Sequence, residues 1–265
     1  MFRFNKSDVF PMDIFFQTSL HPNLPLTAPI ANIAHRGNSK DAPENTLCAF
    51  QQALDIGVDY IEIDVHLTKD GIPIVIHDLF LSRTLPHARG SVADFSFSEL
   101  QKWDAGIWFD PNFAGQKVPS LEDVLVLCRG KCGLMVEIKE GSASPNELAE
   151  VVLKIISAEA NKVVVGSLSS EIMKALRERQ SSQPLVSIIE EEKEWQQHVQ
   201  YEPDIVAMHY GLITQRMLSL LKQMKKKVWV WTVDDPGMMN YLIQAHVDGI
   251  ISNCPRELKQ VLSLR

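Results

Sequence analysis

Leu67-Thr68-Lys69-Asp70-Gly71-Ile72 is the stretch on which the fold turns. It joins two apolar, β-type runs, 60–65 and 73–77. Parallel strands need a crossover of roughly a dozen residues or more, so this connection makes a hairpin. Asp-Gly is the preferred centre of a two-residue hairpin turn. That reading sets Lys69 opposite Ile72 and, counting back, Asp64 opposite His77.

Further strand-type runs lie at 30–34, 134–138, 163–166, 185–189, 205–208, 228–233 and 249–251. Helical periodicity fills 45–56, 120–128, 146–159, 170–179, 191–199, 214–225 and 236–245. Pro43, Pro119, Pro145 and Pro236 suit early helical positions, where a missing N–H costs little. Alternating strands and helices imply a parallel sheet. With 73–77 assigned to the hairpin, the remaining runs number what an eight-stranded barrel needs. The predicted fold is therefore α/β, a (β/α)8 TIM barrel over 30–265, preceded by an extension at 1–29. The turn-rich, aromatic segment 78–119 holds no barrel strand. It reads as a small insertion after the second barrel strand, on the side where such barrels build active sites. An open doubly wound sheet would want a glycine-rich phosphate turn after its first strand, and His35-Arg36-Gly37-Asn38 is not one.

The 265 residues are 45% hydrophobic and 22% charged, ordinary globular values that exclude wholesale disorder. With 26 Lys+Arg against 33 Asp+Glu the net charge is -7, which argues against nucleic acid as a partner. No stretch is apolar for long enough to insert stably in a membrane. Arg3, Lys6, Asp8 and Asp13 interrupt the N-terminal apolar residues, so 1–29 is not read as a signal peptide. Cys128 and Cys132 have no second pair, so with Cys48 and Cys254 they read as free thiols. The expected compartment is the cytoplasm. Oligomeric state is not legible.

Three stretches carry chemistry. His35-Arg36-Gly37 stands at the C-terminal tip of the first strand, where barrels place catalytic groups. Glu62-Ile63-Asp64 puts two carboxylates on one strand face, and the hairpin brings His77 to the same place. Glu137-Ile138-Lys139 repeats that alternation at the end of a later strand. Glu62, Asp64 and Glu137 offer oxygen to one hard divalent cation, Mg2+ or Ca2+. Arg36 and Lys139 offer positive charge to a phosphate, and a histidine pair offers acid and base near neutral pH. With a cation bound, the formal charge of this cluster is about +1, which admits a single phosphodiester despite the acidic chain. His66 shares the parity of Glu62 and Asp64 but reads as structural. Glu44 reads equally as support for the site or as an acidic residue at a helix start.

The sequence closely resembles the glycerophosphodiester phosphodiesterase family. The resemblance rests on His35-Arg36-Gly37, Pro43-Glu44-Asn45-Thr46, Glu62-Ile63-Asp64-Val65, Thr68-Lys69-Asp70-Gly71, His77-Asp78 with Arg83-Thr84, Glu137-Ile138-Lys139, Trp231-Thr232-Val233 and Val247-Asp248-Gly249-Ile250-Ile251. It implies hydrolysis of glycerophosphodiesters to sn-glycerol 3-phosphate and an alcohol, with His35 and His77 as acid and base. It implies a cation on Glu62, Asp64 and Glu137, phosphate contacts from Arg36 and Lys139, and Trp231 on the glycerol side. It also implies that Asp104-Ala105-Gly106 and Trp108 help cover the site. Attack by water and attack by the glycerol 2-hydroxyl both remain open. Two departures stand out. Ser252-Asn253 replaces the family's usual Thr-Asp, at a place to which none of these roles falls. Ser167-Leu168 replaces the frequent Ser-Phe. A lysophospholipid-cleaving enzyme is a rival reading, carried by Phe95, Phe97, Trp108, Phe109 and Phe113. A non-catalytic phosphodiester-binding barrel is another.

Overall fold

A computed structural model describes residues 29–157, 162–179 and 182–264. The extension read at 1–29 lies outside them but for Pro29, as do residues 158–159 of the third segment read as helix. In chain order the elements are β1 (Ala31–His35), α1 (Leu47–Ile56), β2 (Tyr60–Leu67), β3 (Pro73–Val75), α2 (Phe97–Leu100), α3 (Leu121–Cys128), β4 (Gly133–Ile138), α4 (Pro145–Ser157) and β5 (Val163–Ser167). There follow α5 (Ser170–Arg179), β6 (Leu185–Ile189), α6 (Glu192–His198), β7 (Ile205–His209), α7 (Gln215–Gln223), β8 (Lys227–Trp231), α8 (Pro236–Gln244), β9 (Gly249–Ser252) and α9 (Pro255–Ser263). The sheet runs β1-β9-β8-β7-β6-β5-β4-β2 through parallel pairings and closes where β1 pairs β2. This is a closed (β/α)8 barrel. β3 lies outside the ring, antiparallel on the distal part of β2.

The hairpin is real, but its register differs from the two-residue reading. Val65 pairs with Val75, His66 with Ile74 and Leu67 with Pro73. The Thr68 N–H donates to the Ile72 carbonyl at 3.0 Å, and Gly71 adopts φ 76°. The loop therefore holds Lys69, Asp70 and Gly71, a turn closed by a left-handed glycine. Thr68 enforces it: its hydroxyl reaches Asp70 Oδ1 at 2.5 Å and accepts from the Ile72 N–H at 3.0 Å. One extra loop residue moves Asp64 opposite Ile76, whose N–H donates to the Asp64 carbonyl at 3.0 Å. His77 follows two residues beyond the end of β3 rather than as its last residue.

Two helix starts also shift. Thr46 caps α1, its hydroxyl accepting from the Ala49 N–H, so Pro43 stays in the preceding loop. Ser120 caps α3 reciprocally with Asp123, leaving Pro119 outside. Each such cap is worth about 1 kcal/mol. α9, whose buried Leu258 packs with β9 and α8 residues, was not among the helices read from the sequence.

Barrel strands alternate between two buried environments. Ile33, Tyr60, Met135, Val164, Trp229 and Ile251 fill the interior, while Ala34, Ile61, Val136 and Val165 pack against the helices. The inward parity continues to the C-terminal ends of the strands, where Ile33 gives way to His35, Tyr60 to Glu62 and Asp64, Met135 to Glu137, and Trp229 to Trp231. A separate cluster holds the segment after β3 together, with Ile74, Ile76, Leu81, Leu85, Val92 and Leu100 buried.

Candidate active site

Strand register assembles the site. His35 pairs with Glu62 across β1 and β2, and Asp64 with Glu137 across β2 and β4. Partners in a parallel ladder share a face, so all four side chains point into the mouth of the barrel. Glu62 and Asp64 are buried, and Glu137 is 8% exposed. One ligand oxygen from each of these three carboxylates lies within 4.8 Å of the others.

Two cations brace the cluster. Lys139 Nζ stands 2.6 Å from Glu137 Oε1 and 3.1 Å from Asp64 Oδ1. Arg36 Nε stands 3.1 Å from Asp64 Oδ2, and its backbone N–H donates to Glu62 Oε2 at 3.0 Å. Arg36 and Asn45 both take left-handed backbone angles, φ 57° and 56°. Such angles cost a non-glycine residue about 1 kcal/mol or more and cluster at functional sites. Here they turn Arg36 over Asp64 and let the Asn45 amide donate to Asp64 Oδ2 at 2.8 Å.

A second network holds His77. Its Nδ1 lies 2.6 Å from Asp78 Oδ1, and its carbonyl accepts from His66 Nε2 at 3.1 Å. Arg83 binds Asp78 (2.5 and 3.0 Å) and both oxygens of Glu44 (2.7 and 2.8 Å). Glu44 in turn accepts from Arg36 at 3.0 Å. Glu44 is thus a bridge between the two networks, not a helix-start residue. His66, read as structural despite that shared parity, holds the backbone of His77.

The charges respond to these neighbours. Burial, then the adjacent Asp64 and Glu137 carboxylates, push the Glu62 carboxyl well above its ordinary value. Asp64 is held far below its own: burial opposes ionisation, but Lys139 and Arg36 outweigh it. Burial and the Arg36 guanidinium lower His35 to about 4, and burial lowers His66 to about 4. Glu62 Oε1 is buried with no hydrogen-bond partner. An all-oxygen donor set with one orphaned oxygen and crowded negative charge fits a hard divalent cation. This buried acidic triad could hold such an ion.

The structure brings His35, Arg36, Glu62, Asp64, His77, Glu137 and Lys139 together. Trp231 stands on β8, across the ring from β4, with its indole N–H donating to the Ala207 carbonyl at 2.9 Å. Its ring meets His209 edge-on at 5.5 Å. A cavity of about 430 Å³ opens beside the cluster, lined by His66, His77, Asp78, Phe80, Arg83 and Lys139 among others. Of the insertion's aromatics, Phe95 meets Trp103 edge-on, and Phe109 meets both Trp108 and Phe113 edge-on. Asp104 is spent on the N–H groups of Gly106, Ile107 and Gly115, and Ala105 packs near Glu44 and His77. Asn253, to which no role fell, lies 2.7 Å from His35 Nδ1.

Fold and site define a phosphoric diester hydrolase on a (β/α)8 barrel. Residues 35–257 match the glycerophosphoryl diester phosphodiesterase family, and the chain belongs to that family. It is 37% identical over 238 residues to a glycerophosphodiester phosphodiesterase of Caldanaerobacter subterraneus subsp. tengcongensis, covering 85% of this chain and 95% of that one. A glycerophosphodiester phosphodiesterase of Bacillus subtilis is 26% identical over 85% of this chain and 84% of its own length. Among solved structures, an Oleispira antarctica phosphodiesterase in complex with the product sn-glycerol-3-phosphate superposes with a TM-score of 0.82 at 23% identity, over 87% of this chain and 96% of that one.

Proposed function

We propose that this chain hydrolyses glycerophosphodiesters to sn-glycerol 3-phosphate and an alcohol, using one divalent cation, Mg2+ or Ca2+, and a histidine acid/base pair. One observation carries the reading: register sets His35, Glu62, Asp64 and Glu137 around one point, with His77, Arg36 and Lys139 at its edge. Glu62, Asp64 and Glu137 hold the cation. When bound, it supplies positive charge to the non-bridging phosphate oxygens. Arg36 and Lys139 orient the phosphate and offset the charge that grows on it. His77, whose Nδ1 is taken by Asp78, presents Nε2 to the cavity, and His35 presents Nε2 from the end of β1, the strand beside β2. One accepts the proton of the attacking oxygen and the other delivers a proton to the leaving alcohol. Trp231 lines the glycerol side, which leaves the 430 Å³ cavity to the alcohol.

The barrel from about residue 30 carries the activity, and a truncation starting near Pro29 that kept stability and rate would show the extension at 1–29 dispensable. A cytoplasmic location suits four cysteines that are all free. The deciding assay is glycerol 3-phosphate release with and without chelator for wild type, His35→Ala and Glu62→Ala. Full activity in either variant, or with chelator, refutes the site. Faster turnover of lysophosphatidylcholine than of glycerophosphocholine would move the substrate class to lysophospholipids.

A further inference from the structure

Asn253 occupies the first position after β9, where the family resemblance leads one to expect aspartate. Its backbone is pinned, the carbonyl accepting from the Lys40 N–H at 3.1 Å and the N–H donating to Asp234 Oδ1 at 2.8 Å. Its side chain bridges two elements. Nδ2 lies 2.7 Å from Asp234 Oδ2, while Oδ1 lies 2.7 Å from His35 Nδ1 and 2.9 Å from the Ser39 hydroxyl. Asp234 is itself fixed, because Oδ1 also accepts from the Ser252 hydroxyl at 3.0 Å.

The amide's orientation follows from donor and acceptor inventory. An ionised carboxylate only accepts, so the NH2 group of Asn253 must face Asp234. The carbonyl oxygen must then face His35. A carbonyl also only accepts, so His35 Nδ1 must carry a hydrogen.

We propose that Asn253, aligned by Asp234, is a positioning residue that locks His35 in the Nδ1–H tautomer and leaves Nε2 as its proton-exchanging atom. This rests on His35 being the acid or base of the reaction proposed above. His35 Nε2 lies 3.9 Å from Glu62 Oε2, so the locked tautomer aims the exchanging nitrogen at the carboxylate cluster. The same geometry gives a reason for asparagine. An aspartate at 253 would set its carboxylate against that of Asp234, across the present 2.7 Å contact, and the two like charges would repel. Exchanging the pair keeps the pattern. With Asp234→Asn and Asn253→Asp together, the new amide still accepts from Ser252 and the residue 253 N–H, and donates to the new carboxylate. That carboxylate still accepts from His35 Nδ1.

The test is 15N NMR of histidine-labelled full-length protein, read with and without Mg2+, beside steady-state kinetics. Wild type is expected to show Nδ1 protonated and Nε2 bare at His35. Asn253→Leu is expected to mix the tautomers and lower kcat ~100-fold while KM stays within about 3-fold. Asn253→Asp alone is expected to be impaired, and Asp234→Asn/Asn253→Asp to return within about 5-fold of wild-type kcat. An Nε2–H tautomer in the wild type overturns the proposal, as does wild-type kcat in Asn253→Leu or a double variant no better than Asn253→Asp. The wild-type spectrum needs neither a folded variant nor turnover. A locked tautomer in a protein that releases no glycerol 3-phosphate would therefore sink the function and leave this positioning role standing.

Discussion

Glu62→Gln should change the stability of this protein in opposite directions depending on whether the acidic triad holds a cation. Without one, Glu62 is buried against Asp64 and Glu137, and its Oε1 has no hydrogen-bond partner. The carboxyl is pushed well above its ordinary value by burial and those neighbours. A raised acid takes up its proton more readily folded than unfolded. Its penalty is therefore absent below the unfolded value near pH 4, grows as pH rises, and is complete above the folded value. Glutamine is neutral and nearly isosteric, and it can still accept from the Arg36 N–H, which now binds Glu62 Oε2 at 3.0 Å. An unsatisfied buried polar or charged group costs about 1–3 kcal/mol. Urea unfolding in chelator at pH 7.5 should accordingly find Glu62→Gln more stable than wild type by about 1–3 kcal/mol, with the gain vanishing near pH 4.5. A ligand at 100 times its Kd adds about 2.7 kcal/mol to the folded state. Wild type should therefore gain that much from saturating Mg2+ or Ca2+, and the variant, short of one anionic ligand, far less. The two stability orders should cross. A variant less stable than wild type in chelator, or equal gains from cation in both, would refute the electrostatic reasoning.

Lys139→Met removes the ammonium that contacts Asp64 at 3.1 Å and Glu137 at 2.6 Å. Stripping one partner from a buried ion pair costs about 3–5 kcal/mol, so unfolding in chelator should show that loss and added cation should recover part of it. Gly37→Ala should cost about 2–4 kcal/mol by thermal denaturation. Gly37 sits at φ 86°, where a Cβ would meet three Ala49 atoms at 2.7–2.9 Å. Gly71→Ala, at φ 76° with nothing within 4 Å of a Cβ, should cost only the backbone share, about 1–2 kcal/mol. Asp78 is lowered to about 2: burial opposes this, but the hydrogen bonds from Arg83 and His77 outweigh it. Its folded value lies below its unfolded one, so the stability it lends is whole above pH 4 and disappears as pH falls through 2. Asp78 is partly exposed, so the amount is at most about 1 kcal/mol, and Asp78→Asn should flatten acid unfolding in that window.

The barrel was legible because strand periodicity is local. Alternation at Glu62-Ile63-Asp64 and Glu137-Ile138-Lys139 places side chains on a face before any tertiary contact is known. The short link after Leu67 excludes a parallel return in the same way. The errors came where a side chain redirected the backbone. Asp70-Gly71 alone predicts a two-residue turn, but the Thr68 hydroxyl captures Asp70 and Ile72 and enlarges it. Asn45 reads as the start of a helix, but its amide is drawn to Asp64 and the helix begins after Thr46. Contacts between remote segments left no periodic trace. Arg83 reaches Glu44 over 39 positions, and Asn253 reaches His35 over 218. The departure at Ser252-Asn253 was visible, but its contact with a histidine depends on β1 and β9 being neighbours in the ring.

That adjacency bears on the order of events during synthesis. β1 leaves the ribosome first and β9 last, yet they lie side by side. A nascent chain that has already made His35, His77 and all three carboxylates still lacks the strand beside His35 and the side chain that contacts its ring. The His35 ring stays without that contact until the ring of strands is sealed, so a half-made chain would carry the groups of the proposed site without the means to aim one of them.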